Sequence, residues 1–257
     1  MAISAPASVR ARPRPRFEPT DLHWTDTGVA DADLEFGVIR GPSTGRLVVP
    51  DFELSLGVLD NLELDLDGTY TLESSVPGSF AFDLPVPSTL WPSVKIGFYN
   101  DHDYGTGRAQ AVGMQIGPKI PVANGAHGVG GEGLLVLGGS KKGLNLTLNL
   151  GGFVEPPADA VSPYSVGVEA GVDLDLVVDS LERFHLTGEL ATAFFFTQDP
   201  SQLHVTGGVS WSVHPNLDLS VVAIYGFLEG DDHYGVLFGM DPKIRLFDAP
   251  PRYKEAQ

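Results

Sequence analysis

The stretch Leu62-Glu63-Leu64-Asp65-Leu66-Asp67 alternates leucine with a carboxylate at every position. An extended strand turns successive side chains to opposite faces, so this segment reads as a strand with one apolar and one acidic face. The same period returns downstream. Leu144, Leu146, Leu148 and Leu150 alternate with Asn145, Thr147 and Asn149. Val166, Val168, Ala170, Val172, Leu174 and Leu176 alternate with Gly167, Glu169, Gly171, Asp173 and Asp175. No convincing stretch of helical period appears, and 31 Gly and 20 Pro in 257 residues disfavour long helices.

Working outward from these segments, the pattern predicts twelve strands, at 31–40, 47–58, 62–73, 90–99, 109–119, 131–138, 143–153, 164–178, 183–196, 202–213, 217–228 and 234–247. Most are far longer than the about 5–6 residues usual in soluble proteins and match the about 9–11 that a tilted membrane strand needs. Connections alternate as well. The turns at 59–61, 139–142, 179–182 and 214–216 are short, whereas the links at 74–89, 120–130 and 154–163 are longer. Short turns at one end and longer loops at the other describe a transmembrane barrel with periplasmic turns and extracellular loops. The connection 100–108 departs from this rule, being long for a periplasmic turn. Aromatic positions agree with two girdles. With odd strands running outward, Tyr70, Tyr164, Phe194, Phe196, Tyr225, Phe227 and Tyr234 fall near the outer rim, and Phe98, Phe184, Trp211 and Phe247 near the periplasmic rim.

The fold class expected is therefore all-β: a single antiparallel up-and-down transmembrane β-barrel of about twelve strands. A soluble β-rich sandwich is the alternative, since it too has one apolar face. A soluble barrel of this size is not, because twelve long strands enclose more space than inward apolar side chains fill. The barrel is assigned to residues 21–247, between an Ala/Ser/Pro/Arg-rich arm at 1–20 and a tail at 248–257. Both flanks have compositions that cannot pack a core. No 7–15-residue apolar core of a secretory leader is visible, so an outer-membrane location implies a leader outside these residues.

The net charge of −17 argues against a nucleic-acid partner, because phosphate needs a basic face. The absence of Cys removes disulfides, zinc–thiolate sites and thiol nucleophiles. No apolar run approaches the roughly 20 residues of a membrane helix. Between Phe17 and Phe247 there are 31 acidic and 10 basic residues, so the negative charge belongs to the folded part.

Several motifs match a signature without its context. Gly41-Pro42-Ser43-Thr44-Gly45 fits G-x-S-x-G but joins two strands rather than a strand and a helix. Gly128–Gly133 fits G-x-G-x-x-G but precedes no helix and reads as an outer loop. Asp101-His102-Asp103-Tyr104-Gly105 and Asp231-Asp232-His233-Tyr234-Gly235 carry metal-ligand types, yet the topology puts them at opposite mouths, and Asp and Gly are ordinary turn residues. His185, His204, Ser210 and Ser212 share the polar parity of neighbouring strands; the expected spacing is too wide for a nucleophile–base pair. No enzyme, metal or cofactor is expected.

The order of motifs resembles one family of Gram-negative outer-membrane proteins, the transporters named for the meta-pathway of phenol degradation. The resembling segments are Thr25-Asp26-Thr27-Gly28, Asp33-Leu34-Glu35-Phe36-Gly37, Pro50–Val58, Asp60-Asn61-Leu62-Glu63-Leu64, Val94-Lys95-Ile96-Gly97-Phe98, Gly117-Pro118-Lys119-Ile120-Pro121, Gly207–Ser212 and His214–Leu219. The resemblance implies a barrel of about twelve strands in the bacterial outer membrane. It also implies the bilayer and the outer-membrane assembly machinery as partners. It names no solute, and the chain departs from the pattern by continuing past Phe247.

Parity sorts the wall. Leu62, Leu64, Leu66, Leu146, Leu148, Val172, Leu174, Leu219 and Val221 are expected to face lipid. Glu35, Glu53, Glu63, Asp65, Asp67, Glu169, Asp173, Asp175, Glu189 and Asp218 are expected to line the lumen, with the bases Lys95, Lys119, Lys243 and Arg245. Carboxylate rings favour cations, so the first functional expectation is a cation-preferring channel or transporter for small solutes. The alternative is a plugged or narrow barrel that anchors or binds. Inward Gly113, Gly117, Gly167, Gly171, Gly208, Gly235 and Gly239 argue for open space. Closure requires the last strand to pair with the first, which brings Lys243 and Arg245 beside Asp31, Asp33 and Glu35.

Overall fold

Strands of this length, apolar on one face, cannot leave their edges unpaired in lipid, and the chain resolves the problem by closing on itself. The computed structural model describes residues 24–40, 45–74, 86–103, 108–122, 127–157, 163–178, 183–197, 199–228 and 233–247. They form twelve strands: β1 (Val29–Arg40), β2 (Gly45–Leu59), β3 (Leu62–Ser74), β4 (Val86–Asp103), β5 (Arg108–Pro121), β6 (Gly130–Lys141), β7 (Leu144–Glu155), β8 (Ser165–Val177), β9 (Phe184–Phe195), β10 (Gln202–His214), β11 (Leu217–Gly226) and β12 (Tyr234–Arg245). Each pairs with its sequence neighbour, and β1 pairs antiparallel with β12, so the sheet is a closed up-and-down barrel. The expected arm, tail, Gly41–Thr44 segment, turn at 179–182 and Asp231-Asp232 pair lie outside the described residues.

Local chemistry explains the short-turn end. The β6–β7 hairpin turns on Lys142 and Gly143, with φ of 53° and 80°. Positive φ at both central residues is the type I′ geometry, whose twist matches that of the flanking strands. Asp60-Asn61 and Pro215-Asn216 make equally tight connections, because Leu59 pairs with Leu62 and His214 with Leu217. The long connection expected at 100–108 disappears. β4 and β5 run on as a hairpin until Asp103 faces Arg108, so the loop expected there is largely strand and the short-turn rule holds.

The two faces differ as alternation requires. Leu64, Leu146, Val172, Leu174, Leu219 and Val221 are exposed on the outer wall, with Leu62, Leu66 and Leu148 half-buried beside them. Aromatic rings crown both ends of that wall. Phe184 stacks on Trp211 at 5.8 Å at the short-turn end, and Tyr225 meets Phe227 edge-on at 5.2 Å at the other. The inner face is polar. Gln115 of β5 reaches Asp65 of β3 at 3.3 Å, past the intervening β4, a contact made only on the concave side.

The inner face is not polar throughout. Ile39, Val48, Ile224 and Leu237 pack together inside the longer-loop half, on β1, β2, β11 and β12. Ala111 and Val136 form a second patch near the short-turn end, covered by Trp24. Two of the glycines expected to leave space instead face aromatic rings. A Cβ on Gly113 would sit 2.7 Å from the Trp24 ring, and one on Gly167 would sit 2.5 Å from the Phe153 ring. Gly130–Gly133, expected in part as an outer loop, lies within β6.

An arginine on the outer wall must place its charge in hydrocarbon. Leu64→Arg is expected to cost about 2–4 kcal/mol of folding free energy in lipid vesicles. Arg at Asp65, on the inner face, avoids the lipid; equal costs at the two positions would contradict a lipid-facing wall.

Candidate functional site

Once the leucines of β3 face outward, Glu63, Asp65 and Asp67 have only the interior to enter. Register then gathers them with their neighbours. Carboxylate oxygens of Glu53, Glu63 and Asp65 lie within 4.8 Å of one another. Burying like charges at this spacing is costly unless they are compensated. Lys95, only 1% exposed, places Nζ 3.4 Å from Glu63 Oε1. Ser55 Oγ donates to Asp65 Oδ1 at 2.7 Å, and Gln115 Nε2 donates to Ser93 Oγ at 2.7 Å as well as to Asp65. Glu63 also accepts the Thr25 N–H. These three carboxylates are the set, among the described residues, that could hold a hard divalent cation. Lys95 supplies positive charge at the same place.

A second cluster sits on the seam. Lys243 faces Asp31 across the β1–β12 pairing, with Nζ 3.5 Å from Asp31 Oδ2. The same ammonium lies 3.4 Å from Asp241 and 3.8 Å from Asp218. Asp33 and Glu35 continue the buried acidic row up β1. Arg245, expected beside them, is exposed at the end of β12.

The remaining residues fall into two further groups. Lys119 bridges Glu132 of β6 and Glu155 of β7 near the longer-loop end. Glu169 is half-buried on β8. It lines a small interior cleft together with Asn149, His204, Ala191 and Leu134. Nearer the short turns, Asp175 is buried against His185 Nδ1 at 3.1 Å and accepts from Asn145 Nδ2 at 2.8 Å. Asp173 is half-buried one pleat away, and buried Glu189 accepts from Thr206 Oγ1 at 3.5 Å.

The expected spacing of serine and histidine needs correcting. Ser210 is the direct register partner of His185, not several residues away from it. His185 nonetheless turns Nδ1 to Asp175.

Sequence reasoning missed Asp241, Gln115, Glu132 and Glu155. Asp241 and Gln115 carry the right parity: Gly239, Asp241 and Lys243 share one face, as do Gly113, Gln115 and Lys119. Glu132 and Glu155 lie at strand ends without clean alternation, so only the β5–β6–β7 pairing brings them to Lys119.

No family model matches this chain, and no curated protein matches it in sequence. Solved structures do share its fold. An outer membrane channel from Pseudomonas putida F1 superposes with a TM-score of 0.58 at 9% identity, over 89% of this chain and 100% of that one. The NanC porin superposes with a TM-score of 0.54 at 10% identity, over 82% of this chain and 97% of the porin. The fold is that of outer-membrane β-barrels.

Removing one partner of a buried pair leaves the other charge uncompensated. Lys95→Met is expected to destabilise the barrel by about 3–5 kcal/mol in urea titrations from lipid vesicles. Adding Glu63→Gln to it should recover a large share of that loss. An equal loss in the double variant would mean that packing, not charge, is what Lys95 contributes.

Proposed function

We propose that the protein is an outer-membrane channel or transporter for small solutes, with a preference for cations. The observation that carries this reading is the inner face. Carboxylates on β1, β2, β3, β8, β9, β11 and β12 surround an interior whose buried or half-buried lysines are Lys95, Lys119 and Lys243 among the described residues. Such an interior lowers the energy of a cation within it and raises that of an anion. The lipid-facing wall and the fold shared with outer-membrane barrels support the location. The motif order resembling the meta-pathway transporters supports a tie to that family, and the tie is part of the proposal. No reaction is assigned to the interior. The barrel's partners are the bilayer, the assembly machinery of the outer membrane, and a solute recognised by charge and size.

A second reading has its own support. Gln115, Leu237 and Lys95 are 0%, 0% and 1% exposed although they sit on the inner face. A barrel so filled could anchor or bind rather than conduct. Reversal potentials in a planar bilayer under a salt gradient separate the readings. Potassium is expected to permeate ahead of chloride, and Glu35→Gln with Glu189→Gln should reduce the ratio. Preference for chloride would refute the cation preference. Silence at every voltage would leave the anchoring reading.

A further inference from the structure

Register lays two adjacent rows of residues across the inner face of β7, β8, β9 and β10. One row is Asn149, Gly171, Ala191 and His204. The next is Gly151, Glu169, Ala193 and Gln202. Asn149 and His204 stand three strand spacings apart, each about 4.8 Å, with only Gly171 and Ala191 between them. Side chains that small cannot fill the gap, and the hollow they leave is the small cleft that Asn149, Glu169 and His204 line. Leu134 bounds it on the β6 side, where its side chain takes the place a Cβ on Gly151 would need.

Two polar side chains enter this cleft with hydrogen-bonding capacity to spare. Asn149 is 1% exposed, yet neither its Nδ2 nor its Oδ1 meets a partner among the described residues. Glu169 Oε1, in the adjacent row, is likewise buried and unmatched among them. Burying an amide and a carboxylate oxygen in this way is costly, so their retention calls for a partner that the wall itself does not supply. The same strand shows the contrast. Asn145, on the same face of β7, spends its amide on Asp175 at 2.8 Å. The lysine of the neighbouring cluster, Lys119, is engaged by Glu132 and Glu155 instead.

We propose that this cleft is a binding subsite for the primary ammonium group of a small solute. The ammonium donates one N–H to Glu169 Oε1 and another to Asn149 Oδ1, and the carboxylate matches its charge. That leaves Asn149 Nδ2 to donate to an oxygen on the neighbouring carbon, as in a 1,2-amino alcohol. Leu134, Ala191 and Ala193 offer apolar surface to the carbons between. A quaternary ammonium has no N–H to give, and an anion would meet Glu169 with like charge. The subsite rests on the reading of the interior as open to small cations, so binding and conductance are measured separately.

Ethanolamine hydrochloride is titrated calorimetrically into the folded full-length protein in detergent. Salt at about 0.15 M limits the reach of general counterion attraction to about 8 Å. Saturable binding at one site is expected, with tetramethylammonium and the uncharged ethylene glycol each at least tenfold weaker. Asn149→Leu and Glu169→Gln should each weaken ethanolamine binding at least tenfold. Ala193→Leu, which fills the cleft from β9, should do the same and serves should either of the others fail to fold, as judged by heat-modifiable gel migration. Absence of saturable binding, or equal affinity across the three probes or across the folded variants, overturns the subsite. Conductance in a planar bilayer decides the channel on its own. Binding without conductance supports the subsite and refutes the channel; conductance without binding refutes the subsite and leaves the channel standing.

Discussion

Closure of the sheet is the constraint on which everything else depends. In hydrocarbon an unpaired strand edge leaves a row of N–H and C=O groups with no partner, and only a closed barrel removes it. Here β1 and β12 supply that last pairing, from Val29 beside Arg245 to Arg40 beside Tyr234. Neighbouring strands run antiparallel, and the start of β1 lies beside the end of β12, so an even number of strands follows from the topology. The register of the seam also decides which charges meet, because a slip of one residue would turn every side chain of a strand to the other face.

Closure turns one face of each strand inward, and in this chain that face carries buried carboxylates beside apolar patches. The interior then organises itself around its few lysines. Lys243 gathers Asp31, Asp218 and Asp241 from three strands, and Lys119 gathers Glu132 and Glu155. Lys95 stands against the Glu53–Glu63–Asp65 group, with hydroxyl and amide donors completing the shell. Charge excess and charge pairing thus coexist. The pairs tie neighbouring strands together across the inner face.

The apolar patches inside the barrel explain where alternation fades in the sequence. Leu134–Leu137 reads as an unbroken apolar run because Leu134 and Val136 are buried inside while Leu135 meets the lipid. The same holds near Val221 and Val222, one exposed and one buried beside the Ile39–Leu237 cluster. Glycine on the inner face has a matching role. Gly97 and Gly113 are small because an indole needs their volume, and Gly167 is small because Phe153 does.

The fold class, the twelve strands and their order were legible in the sequence, because period-two alternation and tight turns are local properties. So was the meeting of Lys243 with Asp31, since closure leaves the first and last strands no other partner. Parity also assigned Glu63 and Asp65 to one face. It could not say that Glu53 would join them, that Gln115 would reach across β4, or that Lys119 would collect acids from two further strands. Those contacts depend on barrel curvature, which brings side chains two strands apart into reach and leaves no periodic mark. The seat of Trp24 was equally hidden. Gly113 looked like open space, and only the packing of Trp24 against the inner wall shows what occupies it. Alternation tells a residue which side of the wall it takes; closure and curvature decide what it finds there.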